Sequence, residues 1–200
     1  MKIKKTFWFI CDKFRIWDMY KKIDSYFFHG APRPMFESIK KSNMKDLVGV
    51  EIGTQKGINA YNILRLLPVK KLYLIDPYIY YNYKGQSNGA VDSDSLQNKF
   101  YKDAKETLSS YDDKIEFITK KSEEAIDNVP NNLDFVYIDG NHDYSYIKRD
   151  IEMYYPKVKK GGFFGGHDIH LNDVFKAVSE FKNKKDKKIN IERVDWWFIK

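Results

Sequence analysis

The feature that most constrains this chain is an alternation. From Lys45 onward, short apolar runs take turns with segments of helical period. LVGVEI (47–52), KLYLID (71–76), IEFIT (115–119), LDFVYID (133–139) and GGFFGGHD (162–168) read as strands. They are apolar on both faces and bounded by Gly, Pro, Asn or Asp, as strands buried in a parallel sheet are. Helical patterns fill the gaps at 57–67, 95–108, 122–128 and 144–154, and Pro68 and Pro130 close two of them. Strand, helix, strand in repetition requires right-handed crossovers and a sheet covered on both sides. A helix over 172–181 follows, then two strand-like runs, INIERV (189–194) and WWFIK (196–200), with Asp195 alone between them. The expectation is an α/β, doubly wound, seven-stranded and mostly parallel sheet over 45–200, ending in an antiparallel hairpin.

Residues 1–44 do not fit the alternation and read as a basic, aromatic helical extension. Phe7, Ile10, Phe14 and Trp17 share one helical face, and residues 1–22 carry seven Lys/Arg against two Asp. Such a stripe lies on a membrane surface, covers the sheet, or makes a homodimer contact. With a second basic run at 182–188, the net charge is +7. That balance permits an anionic partner such as RNA, and equally a solvated lysine-rich surface. The single cysteine, Cys11, excludes an internal disulfide framework and fits a reducing, cytoplasmic setting. No run reaches the length of a membrane-spanning helix.

The stretch VEIGTQKG (50–57) carries the first chemistry. A strand ends in an acid, and two glycines four residues apart open the next helix. In a doubly wound sheet, ligands sit beyond the carboxyl ends of the strands, near the point where strand order reverses. The spacing lacks the G-x-G-x-x-G of dinucleotide sites and the G-K-[ST] of a phosphate loop. An acid before the first glycine suits a ligand that carries an ammonium group. Asp76, 23 residues after Gly53, ends the second strand. An acid there can accept from both hydroxyls of an unphosphorylated ribose.

These residues resemble the first two motifs of class I S-adenosylmethionine (SAM)-dependent methyltransferases. IDGNHDY (138–144), Asp150 and KKGGFFGGHD (159–168) are similar to a subgroup that includes macrocin-type and catechol-type O-methyltransferases. The resemblance implies a Rossmann-like methyltransferase domain over 45–200 that moves a methyl group from SAM to a hydroxyl of a small molecule or glycan. It implies cofactor contacts from Glu51, Gly53, Thr54, Gly57, Asp76, Ser122 and Asp139. It also implies a divalent metal, magnesium or another, held by Asp139, His167 and Asp168; His142 stands where catechol-type relatives place a lysine base, and an imidazole beside Asp139 suits the same catalytic task near pH 7. His167 departs from the family's oxygen-rich pattern, and imidazole is a poor magnesium ligand. Ser122 and Glu123 suit an adenine-flanking loop and a helix start equally well. The aromatic loop at 78–94 has the length of a lid or binding loop. Two alternatives stay open. One is an RNA methyltransferase, although IDGN stands where amino-group base methylation typically uses [DN]-P-P-[YF]; DNA is not expected. The other is a non-catalytic module attached to a membrane through residues 1–22.

Overall fold

A computed structural model describes residues 32–80 and 94–200. The stripe from Phe7 to Trp17, the basic run 1–22 and the loop residues 81–93 lie outside them. The described residues build a seven-stranded sheet in the order β3-β2-β1-β4-β5-β7-β6. The strands are β1 (Leu47–Ile52), β2 (Val69–Ile75), β3 (Ile115–Ile118), β4 (Leu133–Ile138), β5 (Val158–Gly166), β6 (Asn190–Glu192) and β7 (Asp195–Ile199). The first five pair in parallel, while β7 runs antiparallel to both β5 and β6. The order reverses between β1 and β4, so the carboxyl ends of these two strands form the crevice.

The helices are α1 (Pro34–Lys41), α2 (Ile58–Leu66), α3 (Asp94–Leu108), α4 (Ser122–Ala125), α5 (Tyr144–Tyr154) and α6 (Asn172–Lys185). Every residue of β4 is buried, as its unbroken apolar run requires at the centre of a two-faced sheet. One face packs Met35, Phe36 and Ile39 of α1 and Ile63 of α2 against Leu72, Phe135 and Tyr137. Gly49 leaves room there for the Phe135 ring, which an added Cβ would meet at 2.1 Å. The other face is an aromatic chain in which Phe164 and Trp196 pack edge-on, and Phe181 of α6 packs against Tyr155 and Phe198.

Two details differ from the sequence expectation, and a third lies within the segment read as a helical extension. Strand β5 begins at Val158, where Leu133 pairs with it, although Lys159, Lys160 and Gly161 interrupt the apolar pattern. Asp195 is not the hairpin turn: it pairs with Glu192 inside the ladder, and the turn is Arg193–Val194, with Arg193 at φ 53°. Pro34–Lys41 is a helix whose Met35 and Phe36 are fully buried, and the compact unit begins at Pro32.

Candidate active site

The chain leaves β1 through Gly53, which has φ 92°. A Cβ there would lie 2.1 Å from the backbone oxygen of Asp139 and 2.8 Å from Cα of Gly140. Gly53 therefore answers first to crowding by the end of β4, in a conformation that L side chains rarely adopt. Asp139 N–H donates to the Ile52 carbonyl at 2.7 Å, so the two strand ends are joined at the mouth. Gly57, at φ 76°, opens α2.

Glu51 is fully buried behind this loop. Its Oε1 accepts from Asn59 Nδ2 at 2.7 Å, while Oε2 has no partner. Burial pushes its carboxyl up to about 8, with Asp139 and Asp76 adding to the effect and the Asn59 hydrogen bond opposing it. The Thr54 hydroxyl beside it is also buried and unpartnered. Unpaired buried oxygens of this kind are costly unless a ligand completes them. Asp76 lies just past β2 and accepts from the amides of Gln55 (Oδ2) and Tyr78 (Oδ1), both at 2.9 Å. It ties the two loops together and, as a carboxylate with about four lone-pair directions, retains acceptor capacity. Burial raises its pKa against those amide hydrogen bonds.

The ends of β4 and β5 supply the second half. Ligand atoms of Asp139, His142 and Asp168 lie within 4.8 Å of one another. His142 Nε2 is 3.1 Å from Asp168 Oδ2 and 3.7 Å from Asp139 Oδ1. Burial works against charge on this ring, but the two carboxylates outweigh it and raise its pKa above the ordinary imidazole value. Burial also opposes charge on Asp168, yet its contacts with His167, His142 and His170 hold it well below the carboxylate range. Asp168 sits at φ 55°, a left-handed conformation that aspartate tolerates.

His167 approaches the same two acids as closely as His142 does. Its Nδ1 is 3.2 Å from Asp168 and 3.7 Å from Asp139, while the Arg33 guanidinium contacts its Nε2. Burial disfavours charge on this ring and the two acids favour it, with a net upward pull. Arginine can only donate, however, so the Arg33 contact requires an unprotonated Nε2. The proton then sits on Nδ1 and points toward the acids; His142 Nε2, 3.1 Å from Asp168 Oδ2, faces an acceptor in the same way, so when that ring is neutral its lone pair lies on Nδ1. Beneath it, Tyr137 OH donates to Asp195 Oδ1 at 3.0 Å, with both residues buried.

Ser122 lies at the end of the loop after β3. Its hydroxyl is 2.5 Å from Asp150 Oδ1 of α5 and does not cap α4; Tyr154 OH donates to its carbonyl at 2.6 Å. Burial pushes Asp150 up to about 6 despite the Ser122 hydrogen bond. Glu123 pairs with Arg149 at 2.8 Å. The segment that opens at Ser122 is thus clamped onto α5. Arg33, Asn59 and Asp195 escaped the sequence reading. Only Asp195, an acid set within an aromatic run, left a trace there.

A sheet of this order, with an acid-lined mouth at the ends of β1, β2, β4 and β5, is the Rossmann-like methyltransferase fold. A family model described as a methyltransferase domain matches residues 50–169, and the chain belongs to that family. The uncharacterized protein R132 of Acanthamoeba polyphaga mimivirus is 30% identical over 123 residues, 59% of this chain and 49% of that protein. The match therefore spans about half the length of that curated relative. Among solved structures, the O-methyltransferase NovP superposes with a TM-score of 0.59 at 19% identity, covering 83% of this chain and 76% of its own. The MycE methyltransferase of the mycinamycin biosynthetic pathway, in complex with Mg and SAH, gives 0.54 at 13% identity, covering 82% and 47%. At such identities the likeness is one of fold. Among the described residues, no helix is long and apolar enough to cross a membrane.

Proposed function

We propose that this chain is a SAM-dependent O-methyltransferase that acts on a hydroxyl of a small molecule or sugar. The observation that carries the reading is the junction of Gly53 with the Asp139 backbone, which puts the Glu51 cradle and the Asp139/His142/Asp168 cluster in one mouth. Bound SAM would supply an electrophilic methyl group on a sulfonium. The unpaired Glu51 oxygen and the Thr54 hydroxyl fit its amino-acid portion, Asp76 its ribose, and the segment opening at Ser122 its adenine.

At the other side of the mouth, His142 takes the proton of the acceptor hydroxyl as attack proceeds. Asp168 and Asp139 orient that ring and stabilise it once charged. Much of the rate then comes from holding hydroxyl and methyl in line. Two carboxylates and an imidazole would instead fit a divalent cation, which would lower the pKa of the acceptor hydroxyl in place of His142 acting as its base. The mixed donor set suits manganese or a later metal better than magnesium. A cytoplasmic setting belongs to the same proposal and is supported by the lone Cys11.

The test is calorimetric titration of S-adenosylhomocysteine into the full chain, with magnesium, with manganese and with chelator. Micromolar binding is expected. Absence of binding under all three conditions would sink the reading, and a manganese effect without a magnesium effect would support the donor set.

A further inference from the structure

We infer that Arg33 is a built-in counter-ion of the acid cluster, a tethered cation that competes with any divalent metal for the same carboxylates. The inference rests on reading Asp139, His142 and Asp168 as a cation site.

The guanidinium reaches the cluster from outside the sheet. Arg33 Nη2 is 3.9 Å from Asp139 Oδ2, and Nη1 contacts His167 Nε2. Burial pushes Asp195 up to about 6, with His167 and Arg33 opposing it, while against burial Asp139 is pulled down by His167 and His142 first, with Arg33 adding to the pull. Asp139, Asp168 and Asp195 crowd this corner, with Glu51 and Asp76 on the far side of Gly53. His142, His167 and His170 offset part of that charge, and an arginine, always charged, adds to the compensation.

Arg33 is not a loose surface side chain that happened to fall there. The Pro32 carbonyl before it accepts from Arg193 Nη2 at 2.8 Å. Arg33 O accepts from the amides of Phe36 and Glu37 at the start of α1. α1 itself is anchored by Met35 and Phe36, fully buried, and Ile39. The backbone is therefore held on both sides. The side chain's 26% exposure gives the guanidinium a way out toward water.

A divalent ion entering between Asp139 and Asp168 meets this resident charge a few ångströms away and has to displace it. Metal affinity is then set by Arg33 as well as by the donors. A neutral residue at 33 unmasks the carboxylates, whereas lysine keeps the charge and loses only the planar fork.

The experiment is titration of MnCl2 by calorimetry into the full chain as wild type, R33Q, R33M, R33K and D139N/R33Q, each checked for native circular dichroism. R33Q and R33M are expected to bind manganese at least tenfold more tightly than wild type, R33K to stay close to wild type, and D139N/R33Q to lose the gain. Equal or weaker binding by folded R33Q and R33M, with wild type still binding, would overturn the counter-ion role and leave the cation site standing. No binding by any variant would remove the cation site and this inference together. Two neutral variants guard against one of them failing to fold.

Discussion

The backbone carbonyl of Asp139 occupies the space that a side chain on Gly53 would need, 2.1 Å from the ideal Cβ position. The loop that follows β1 and the acid that follows β4 are therefore one mechanical unit. Gly53→Ala should damage both. The left-handed φ alone costs roughly 1–3 kcal/mol, and the clash adds to it. A thermal melt should show a clear drop in midpoint, and calorimetry should show weakened S-adenosylhomocysteine binding. A variant with wild-type melting and affinity would show that the two strand ends move independently.

Glu51 makes the empty protein sensitive to pH. Its carboxyl, ordinarily at 4.5, is held near 8 by burial, so the folded chain keeps a proton that the unfolded chain gives up. Stability from this group is present at low pH and is lost as pH rises from about 4.5 to 8. Asp150 and Asp195, each near 6, act in the same direction, as do the raised histidines. The diagnostic is thus the difference between variants. Urea melts at pH 5 and pH 8 should show a smaller loss for Glu51→Gln than for wild type.

Binding of an ammonium-bearing ligand should ionise Glu51 and release its proton. Titrations of S-adenosylhomocysteine at pH 7 in buffers of different ionisation enthalpy should give heats that differ by nearly one proton per site. Glu51→Gln should abolish the difference and weaken binding.

Asp76 holds the amides of Gln55 and Tyr78, and the proposed function gives it the ribose as a second partner. Asp76→Ala should weaken S-adenosylhomocysteine binding by about tenfold or more, in line with about 1.5–3 kcal/mol for a hydrogen bond to a charged group. Asp76→Asn, which keeps one acceptor oxygen, should fall between the two. Unchanged affinity in the alanine variant would remove Asp76 from the pocket.

His142→Ala should spare cofactor binding and slow turnover by roughly a hundredfold, the usual scale for a lost general base. Once an acceptor hydroxyl is in hand, single-turnover methyl transfer from radiolabelled SAM measures this directly. Wild-type rates would assign the proton to another group.

The fold was legible because the sheet is buried on both faces, and continuous apolar runs such as LDFVYI have no other stable use. The edges of elements were less legible. The Lys159–Gly161 stretch looks like a loop, yet the ladder to Leu133 makes it a strand, with the chain's last residue, Lys200, bonded to the carbonyls of Tyr155, Pro156 and Val158. Within the site, the acids and His142 were visible because strand ends and their loops are where a doubly wound sheet gathers ligands. Arg33 was not visible, because its partner His167 is 134 residues away and no local period links them. The His167 tautomer was hidden for the same reason, since it is set by a guanidinium far away in the sequence.

Trp196 is fully buried in β7, and its indole N–H donates to the His167 carbonyl at 3.1 Å. An intrinsic fluorophore is thus wired to the backbone of the acid cluster. A shift of the His167 backbone should therefore reach the indole directly, so that Trp196, one of four tryptophans in the chain, lies where intrinsic fluorescence would register a change at the acid cluster.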